Sequence, residues 1–367
     1  MLKERFFYLA FSAFPAIGPS RFKKLLGEFK TAKNAFEAAS PAMAGLIGEE
    51  TAEKFETFRK KFSIEDYVKK LKEKGVWFIT LLDKEYPQLL KEIKNPPFVL
   101  YGKGDKEILR FAQDDNKTIA VVGTRKTTEY GREVTKLLTT ELVLNGFTIV
   151  SGLALGVDAI SHMTALENNG KTIAVLGCGV DCCNPGENQS IYNSIVEKGL
   201  VLSEFPLGMK PTQWTFPARN RIIAGLSQAV LVTEGAEDSG SLITANFALK
   251  FGRKVFAVPG PITSSMSKGP YKLIAKGAKL VTSGEDILKE LKIPAFAKAS
   301  AGKQKSKIKD ATKEELKILK LLENESLHFD EIVRRTKFKS SKLSSLLSLM
   351  EIKGMIKSLE GGMFSTS

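Results

Sequence analysis

The run Thr118-Ile119-Ala120-Val121-Val122-Gly123-Thr124-Arg125 decides the fold. Its first part is β-branched or apolar throughout, as a strand buried on both faces requires, and it ends on a glycine that lets the chain turn tightly. A helical stretch from Tyr130 to Leu144 follows, then a second such strand, Thr148 to Val150, ending on Ser151-Gly152. The pattern continues with strands at Thr172 to Leu176, Leu200 to Leu202, Ala229 to Val232, Lys254 to Val258 and Lys279 to Val281. Helices are expected between them over Ala159 to Glu167, Ile191 to Lys198 and Leu242 to Phe251. This alternation predicts an α/β fold, a Rossmann-like doubly wound parallel sheet covered by helices, spanning residues 118–293.

Outward from that core the pattern changes. Residues 1–65 read as a small helical module, beginning with an amphipathic helix in which Lys3, Glu4 and Arg5 argue against a signal peptide. Pro15-Ala16-Ile17-Gly18-Pro19, followed by Arg21, Leu25 and Leu26, suits one helix-hairpin-helix; a plain helical (SAM-like) module joined by a glycine turn suits it equally. Residues 66–117 extend the core through strands at Trp77 to Thr80 and Pro97 to Tyr101, with Tyr86-Pro87 and Asn95-Pro96-Pro97 breaking helices between them. Phe111 to Lys117 is polar and expected to be a loop. Residues 294–310, rich in Ala, Lys, Gln and Ser, read as a basic flexible linker. Residues 311–367 show helices at Lys313 to Leu322, Phe329 to Arg335 and Ser340 to Lys353, then a hairpin. That is the winged-helix order, with the third helix where such folds place a recognition helix. Winged helices also bind protein, so its partner stays open.

With 55 basic and 41 acidic residues the formal net charge is +14. A surplus of that size favours polyanions, nucleic acid first and an anionic membrane surface second, unless it is only a lysine-rich solvated surface. No stretch approaches the ~20 apolar residues of a membrane span. Cys178, Cys182 and Cys183, odd in number and clustered, argue for a reducing cytosol, hence a cytoplasmic protein. Neither His162 nor His328 stands at ligand spacing from them, so no metal is expected.

In open parallel sheets the ligand sits beyond the carboxyl ends of the strands. Here those ends are Gly123-Thr124-Arg125, Ser151-Gly152-Leu153-Ala154, Gly177-Cys178-Gly179, Glu204-Phe205-Pro206, Glu234-Gly235 and Pro259-Gly260-Pro261, a rim suited to phosphate. No nucleotide cofactor is expected. Gly177-Cys178-Gly179 lacks the third glycine of the dinucleotide fingerprint, and Gly170-Lys171-Thr172 leads into a strand, with Ala165 where a P-loop needs glycine. No histidine accompanies Ser239-Gly240-Ser241, and His162 is expected to be structural. Glu204 and Glu234 suit general acids or loop braces, the latter being the expectation. Trp214 to Gly225 sets Arg219, Asn220 and Arg221 beside Trp214 and Phe216. Guanidinium forks pair with phosphate, and a ring such as Phe216 stacks a base for about 1–3 kcal/mol, which fits a single strand better than a duplex. The alternative is a helix whose Ile222 and Ile223 face the core while its arginines bind acidic neighbours.

Taken together the motifs resemble the DNA-processing protein A family (DprA, also called Smf). The matching residues are Val122 to Arg125 with Tyr130-Gly131; Ser151 to Ala154 with Gly156-Val157-Asp158; and Leu176 to Asp181 with Asn184-Pro185 and Asn188. They continue through Ser203 to Pro206, Phe216 to Ser227, Ser239 to Ala245, Gly252-Arg253 and Val255 to Gly260. The resemblance implies a homodimer that binds and protects single-stranded DNA and loads the RecA recombinase in natural transformation, without being an enzyme. It assigns DNA contacts to Gly123, Thr124, Arg125, Ser151, Gly152, Phe216, Arg219, Asn220, Arg221, Ser239, Ser241 and Lys254. Arg125 and the Arg219 to Arg221 cluster grip phosphate, and Phe216 stacks a base. Gly269-Pro270-Tyr271 departs from the family, which usually carries Asn before Leu273-Ile274; Asn184 replaces an aromatic, and Leu155 a residue that is often basic. Two alternatives are a phosphoribohydrolase-like enzyme on a related fold and a winged-helix transcriptional regulator. Against the first, Ser239 to Phe247 holds no acid to serve as its catalytic glutamate.

Overall fold

The computed structural model describes residues 3–114, 117–294, 312–322, 325–352, 355–359 and 362–366. It divides into two compact units, Met1–Pro294 and Ala295–Ser367. From residue 295 on, the expected basic linker lies outside the described residues.

In the first unit the run Thr118–Val122 is strand β3 of a single sheet. The others are β1 (Trp77–Thr80), β2 (Val99–Gly104), β4 (Thr148–Ser151), β5 (Thr172–Val175), β6 (Leu200–Ser203), β7 (Ala229–Val232), β8 (Lys254–Ala257) and β9 (Lys279–Leu280). The strand order is β1-β2-β6-β5-β4-β3-β7-β8-β9. From β6 to β9 all neighbours are parallel, as predicted; the extension strands pair otherwise, β2 antiparallel to β6 with Tyr101 opposite Ser203, and β1 antiparallel to β2. From β3 the chain winds outward through β4, β5 and β6, then returns to place β7 on the other side of β3. The switch between β3 and β7 opens a crevice at their carboxyl ends.

Alternation along each strand fills both faces. Ile119 and Val121 join Ile149, Leu231 and Phe256 under Leu138 and Leu142 of helix Glu129–Leu144. Ala120 and Val122 join Val150, Val175 and Val230 under Ile222 and Ile223 of helix Thr215–Leu226. Of Phe111 to Lys117, expected to be a loop, the part up to Asp114 is instead the end of helix Glu107–Asp114.

The N-terminal helices run from Glu4–Ser12 to Ile64–Glu73, past the boundary at residue 65 read from sequence, and share one apolar cluster with the sheet. Phe11 stacks on Phe55 with centroids 4.9 Å apart, and Phe22 on Phe98, just before β2, at 4.1 Å. Ser12 Oγ and Tyr101 OH are hydrogen-bonded at 2.6 Å, and Arg5 donates to the Phe78 carbonyl. Among the described residues no helix is long and apolar enough to cross a membrane.

The second unit has helices Lys313–Leu322, Phe329–Thr336 and Ser340–Ile352 and a small sheet ordered β10 (Leu327–His328), β12 (Met363–Thr366), β11 (Ile356–Leu359). Ile318, Ile332, Leu343, Leu347 and Ile356 form its core. This is the expected winged-helix order. The third helix presents Ser341, Ser344, Ser345 and Ser348 to solvent, and Lys342 on that face is paired with Glu314.

Because the N-terminal helices and the sheet share a core, Phe55→Ala is expected to cost about 3–5 kcal/mol and to lower the urea midpoint seen by far-UV circular dichroism and by Trp77 fluorescence together. Two separated transitions would mean the helical part folds as a body of its own.

Candidate nucleic-acid interface

Beyond β3 the chain is pinned before its charged residues begin. Thr124 N donates to the Glu234 carbonyl at 2.8 Å, and Val157 N donates to the Thr124 carbonyl at 3.1 Å. Gly156, at φ 77°, passes so close that a Cβ there would lie 2.3 Å from that carbonyl oxygen. Gly123 is equally confined, since a Cβ would meet Val157 at 2.5 Å. Lys126 N then donates to Thr124 Oγ1 at 3.1 Å, closing the turn. Arg125 and Lys126 project from this fixed turn into solvent, and among the described residues neither is ion-paired.

Opposite the turn, helix Thr215–Leu226 begins at the crevice, with Thr215 Oγ1 bonded to the Thr212 carbonyl at 2.8 Å. Phe216 lies half-buried over Gly177, where a Cβ would come within 3.1 Å of its ring. The Arg125 guanidinium sits 5.6 Å from the Phe216 ring centroid. Ser239 Oγ and Ser241 Oγ, 2.8 Å apart, form the facing wall, and Asn220 Nδ2 reaches the Gly240 carbonyl at 3.4 Å. The crevice so enclosed measures about 640 Å³. It therefore brings together Gly123, Thr124, Arg125, Phe216, Arg219, Asn220, Ser239 and Ser241.

Other expected contacts stand elsewhere or work inward. Arg219 is only 5% exposed, and its Nη1 donates to the carbonyls of Gly152 and Val175. Arg221 is turned to the far side of the helix, where Nη2 pairs with Glu204. The expectation that both arginines grip phosphate is corrected: Arg219 is turned to buried carbonyls and Arg221 to Glu204, the latter as the alternative reading of this helix had it. Gly152 is needed for that clamp, because a Cβ there would lie 2.1 Å from Arg219 Nη1. Ser151 Oγ is buried against the Val121 carbonyl at 2.7 Å. Lys254 opens β8, at the end away from the crevice, and pairs with Glu290 at 2.6 Å.

The buried charges compensate one another. Burial raises the pKa of the Asp158 carboxyl, and the nearby charge of Arg219 holds it back. Burial likewise raises Glu204, against the pull of Arg221. Glu234 braces the loop after β3, accepting from Thr128 N at 3.0 Å and Thr128 Oγ1 at 2.6 Å. His162 is fully buried with Nδ1 2.6 Å from Thr172 Oγ1, and burial holds its pKa down to about 3. Tyr271, a departure from the family pattern, bonds the Gly260 carbonyl, while Tyr130 holds that of Pro259. Lys126 and the exposed acid Asp238 also line the crevice and were not anticipated. Lys126 was legible as the residue after Arg125; Asp238 carries no local signal.

Two outcomes follow. Arg219→Ala strands buried carbonyls and Asp158 and is expected to cost about 3–5 kcal/mol in urea unfolding, whereas Arg125→Ala changes stability by no more than about 0.5 kcal/mol. His162 stays neutral in the folded chain to about pH 3, while the unfolded imidazole takes its proton near the ordinary 6.5. The unfolded state therefore binds more protons between these values, and stability falls with pH by up to about 1.4 kcal/mol per unit. The stability difference between the wild type and His162→Gln should narrow from pH 7 to pH 4; a constant difference would show that the imidazole titrates alike in both states.

Comparison with known proteins places this geometry in a family. The family model described as DNA recombination-mediator protein A matches residues 77–292, and that of the DprA winged helix domain matches residues 302–362. Protein Smf of Synechocystis is 36% identical, with 98% of each chain covered. The X-ray structure of DNA processing protein A from Streptococcus pneumoniae superposes with a TM-score of 0.68 at 36% identity, covering 79% of this chain and 98% of that one. A DNA processing protein A from Helicobacter pylori, solved for its single-stranded DNA binding mode, gives 0.52 at 33% identity over 58% of this chain and 95% of its own. With fold, crevice and both sequence matches in agreement, the chain belongs to the DNA recombination-mediator protein A family, the DprA/Smf proteins.

Proposed function

We propose that the crevice binds single-stranded DNA, and that the protein shields incoming strands and delivers them to the RecA recombinase without catalysing a reaction. The observation that carries this reading is the pairing of Arg125 with Phe216: a free guanidinium on a pinned turn, 5.6 Å from a half-buried ring at the crevice. A phosphate and its neighbouring base need those two surfaces side by side. In a duplex the base is already stacked on its neighbours, so only an unpaired strand offers both. Family membership supports the same reading, as does the binding mode described for the Helicobacter pylori relative. The recombinase partner and the homodimer are carried over from the family resemblance, and the cytoplasmic location rests on the clustered free cysteines. A non-enzymatic role is supported by the titratable groups nearby, since Glu234 braces a loop and His162 is buried and neutral.

The test is fluorescence anisotropy of a labelled oligo-dT strand and of a duplex of equal length across a salt series. Tight, salt-sensitive binding of the strand is expected. Arg125→Ala should weaken it by about 10- to 100-fold, the equivalent of about 1.5–3 kcal/mol for a lost charged hydrogen bond. Phe216→Ala should remove about 1–3 kcal/mol with little change in salt slope. Preference for duplex, or indifference to Arg125→Ala, would overturn the assignment.

A further inference from the structure

On the far side of helix Thr215–Leu226 from the crevice lies a second cavity, of about 340 Å³. Its walls come from both parts of the first unit. The Gly18 turn of the N-terminal helices and Phe98 face Phe205 and Trp214, and the Glu204–Arg221 pair lies along one side. Trp214 is 53% exposed at the mouth and touches only the edge of Phe205, with centroids 5.6 Å apart. A large ring left open to water beside an apolar cavity has an unused stacking face.

The pair inside the cavity is incomplete. Arg221 Nη2 donates to Glu204 Oε2, but among the described residues Glu204 Oε1 and Arg221 Nη1 are buried with no hydrogen-bond partner. The Glu204 side chain is only 9% exposed. Buried polar groups are nearly always satisfied, so a small opening of this pair toward the cavity would offer its carboxylate and guanidinium to a partner with a donor and an acceptor side by side. The Watson–Crick edge of every nucleobase has that arrangement.

Position favours the same ligand. Phe216 and Trp214 are two residues apart, so their Cα atoms lie within about 7 Å, a span of one or two nucleotides. A strand held at Arg125 and Phe216 passes around the N-terminus of the helix to Trp214. The uncapped N-terminus of helix Pro19–Phe29 also opens on this cavity and favours the phosphate beside such a base.

We propose that this cavity is a base-binding subsite, which takes one unstacked nucleobase of the strand held in the crevice, between Trp214 and the Glu204–Arg221 pair. The assignment rests on the crevice being a single-strand site. It gives the N-terminal helices a part in DNA binding, since they form one wall of the pocket.

The experiment follows Trp214 fluorescence and strand anisotropy in the same samples. The chain has two tryptophans, and Trp214→Phe, an exposed and conservative change, supplies the Trp77 background to subtract. Two labelled strands of equal length are used at saturation, oligo-dT and a fully abasic strand. The expected result is that both raise the anisotropy, while only oligo-dT quenches the Trp214 signal, since only it carries bases to stack on the indole. Oligo-dT binding without quenching would overturn the subsite and leave the crevice assignment standing, as would equal quenching by the abasic strand. No anisotropy change with either strand would overturn both.

Discussion

A guanidinium held inside the protein fixes the geometry on which the site depends. Arg219 reaches from helix Thr215–Leu226 to the carbonyls of Gly152, just past β4, and Val175, the last residue of β5. Those carbonyls lie where strands give way to loops, so their sheet partners are already running out. A charged donor satisfies both at once, and Asp158 lies close enough to offset its charge. The helix is thereby held at one height above the sheet, with Phe216 presented to the crevice and Trp214 to the cavity beyond. A charge this deeply buried stabilises the fold only with all its partners in place, which is why glycine is required at position 152.

The two sorts of arginine at this crest then divide the work. Arg219, buried against two carbonyls, and Arg221, paired through one nitrogen with Glu204, hold the helix. Among the described residues Arg125 is matched by no carboxylate, and it stands on a turn fixed by backbone bonds to Glu234 and Val157. A free charge on a fixed backbone loses little freedom when it meets an anion, which is the condition for strong binding by few contacts. Glu234 serves the same end indirectly, since its carboxylate braces Thr128 and its carbonyl holds Thr124.

Most of the architecture was legible because its signals are local. Continuous apolar runs such as Thr118 to Val122 cannot lie at a surface, and strand-end glycines mark close backbone approach, so the parallel sheet and its crevice followed directly. The antiparallel direction of β1 and β2 did not, because strand direction is set by which neighbour a segment meets. The same limit applies to the arginines. Arg125, Arg219 and Arg221 carry identical chemistry, and what separates them is whether a carbonyl or carboxylate from a distant segment reaches them. Gly152 and Glu204 lie 67 and 17 residues from their partners, and nothing in the local pattern reports the meeting. Lys254 shows the complementary case: the residue lies in a motif that resembles the family, yet it opens its strand and therefore sits at the wrong end of the sheet.

The distribution of charge bears on how a strongly basic protein would hold a strand with few contacts, as proposed. The excess of +14 is not gathered in the crevice, where Arg125 and Lys126 stand against Asp238. Many other lysines are spent on surface pairs, such as Lys54 with Glu50 and Lys289 with Glu285. The remaining excess acts at long range, raising the rate at which a polyanion arrives, and salt weakens it over a distance of about 10 Å. On the proposed reading, retention and selection belong to short-range contacts: one or two phosphates at the pinned turn and an aromatic surface that a duplex cannot use. The proposed hand-over of a strand to a partner would be served by this separation, because attraction that is diffuse and contact that is sparse can both be outcompeted step by step.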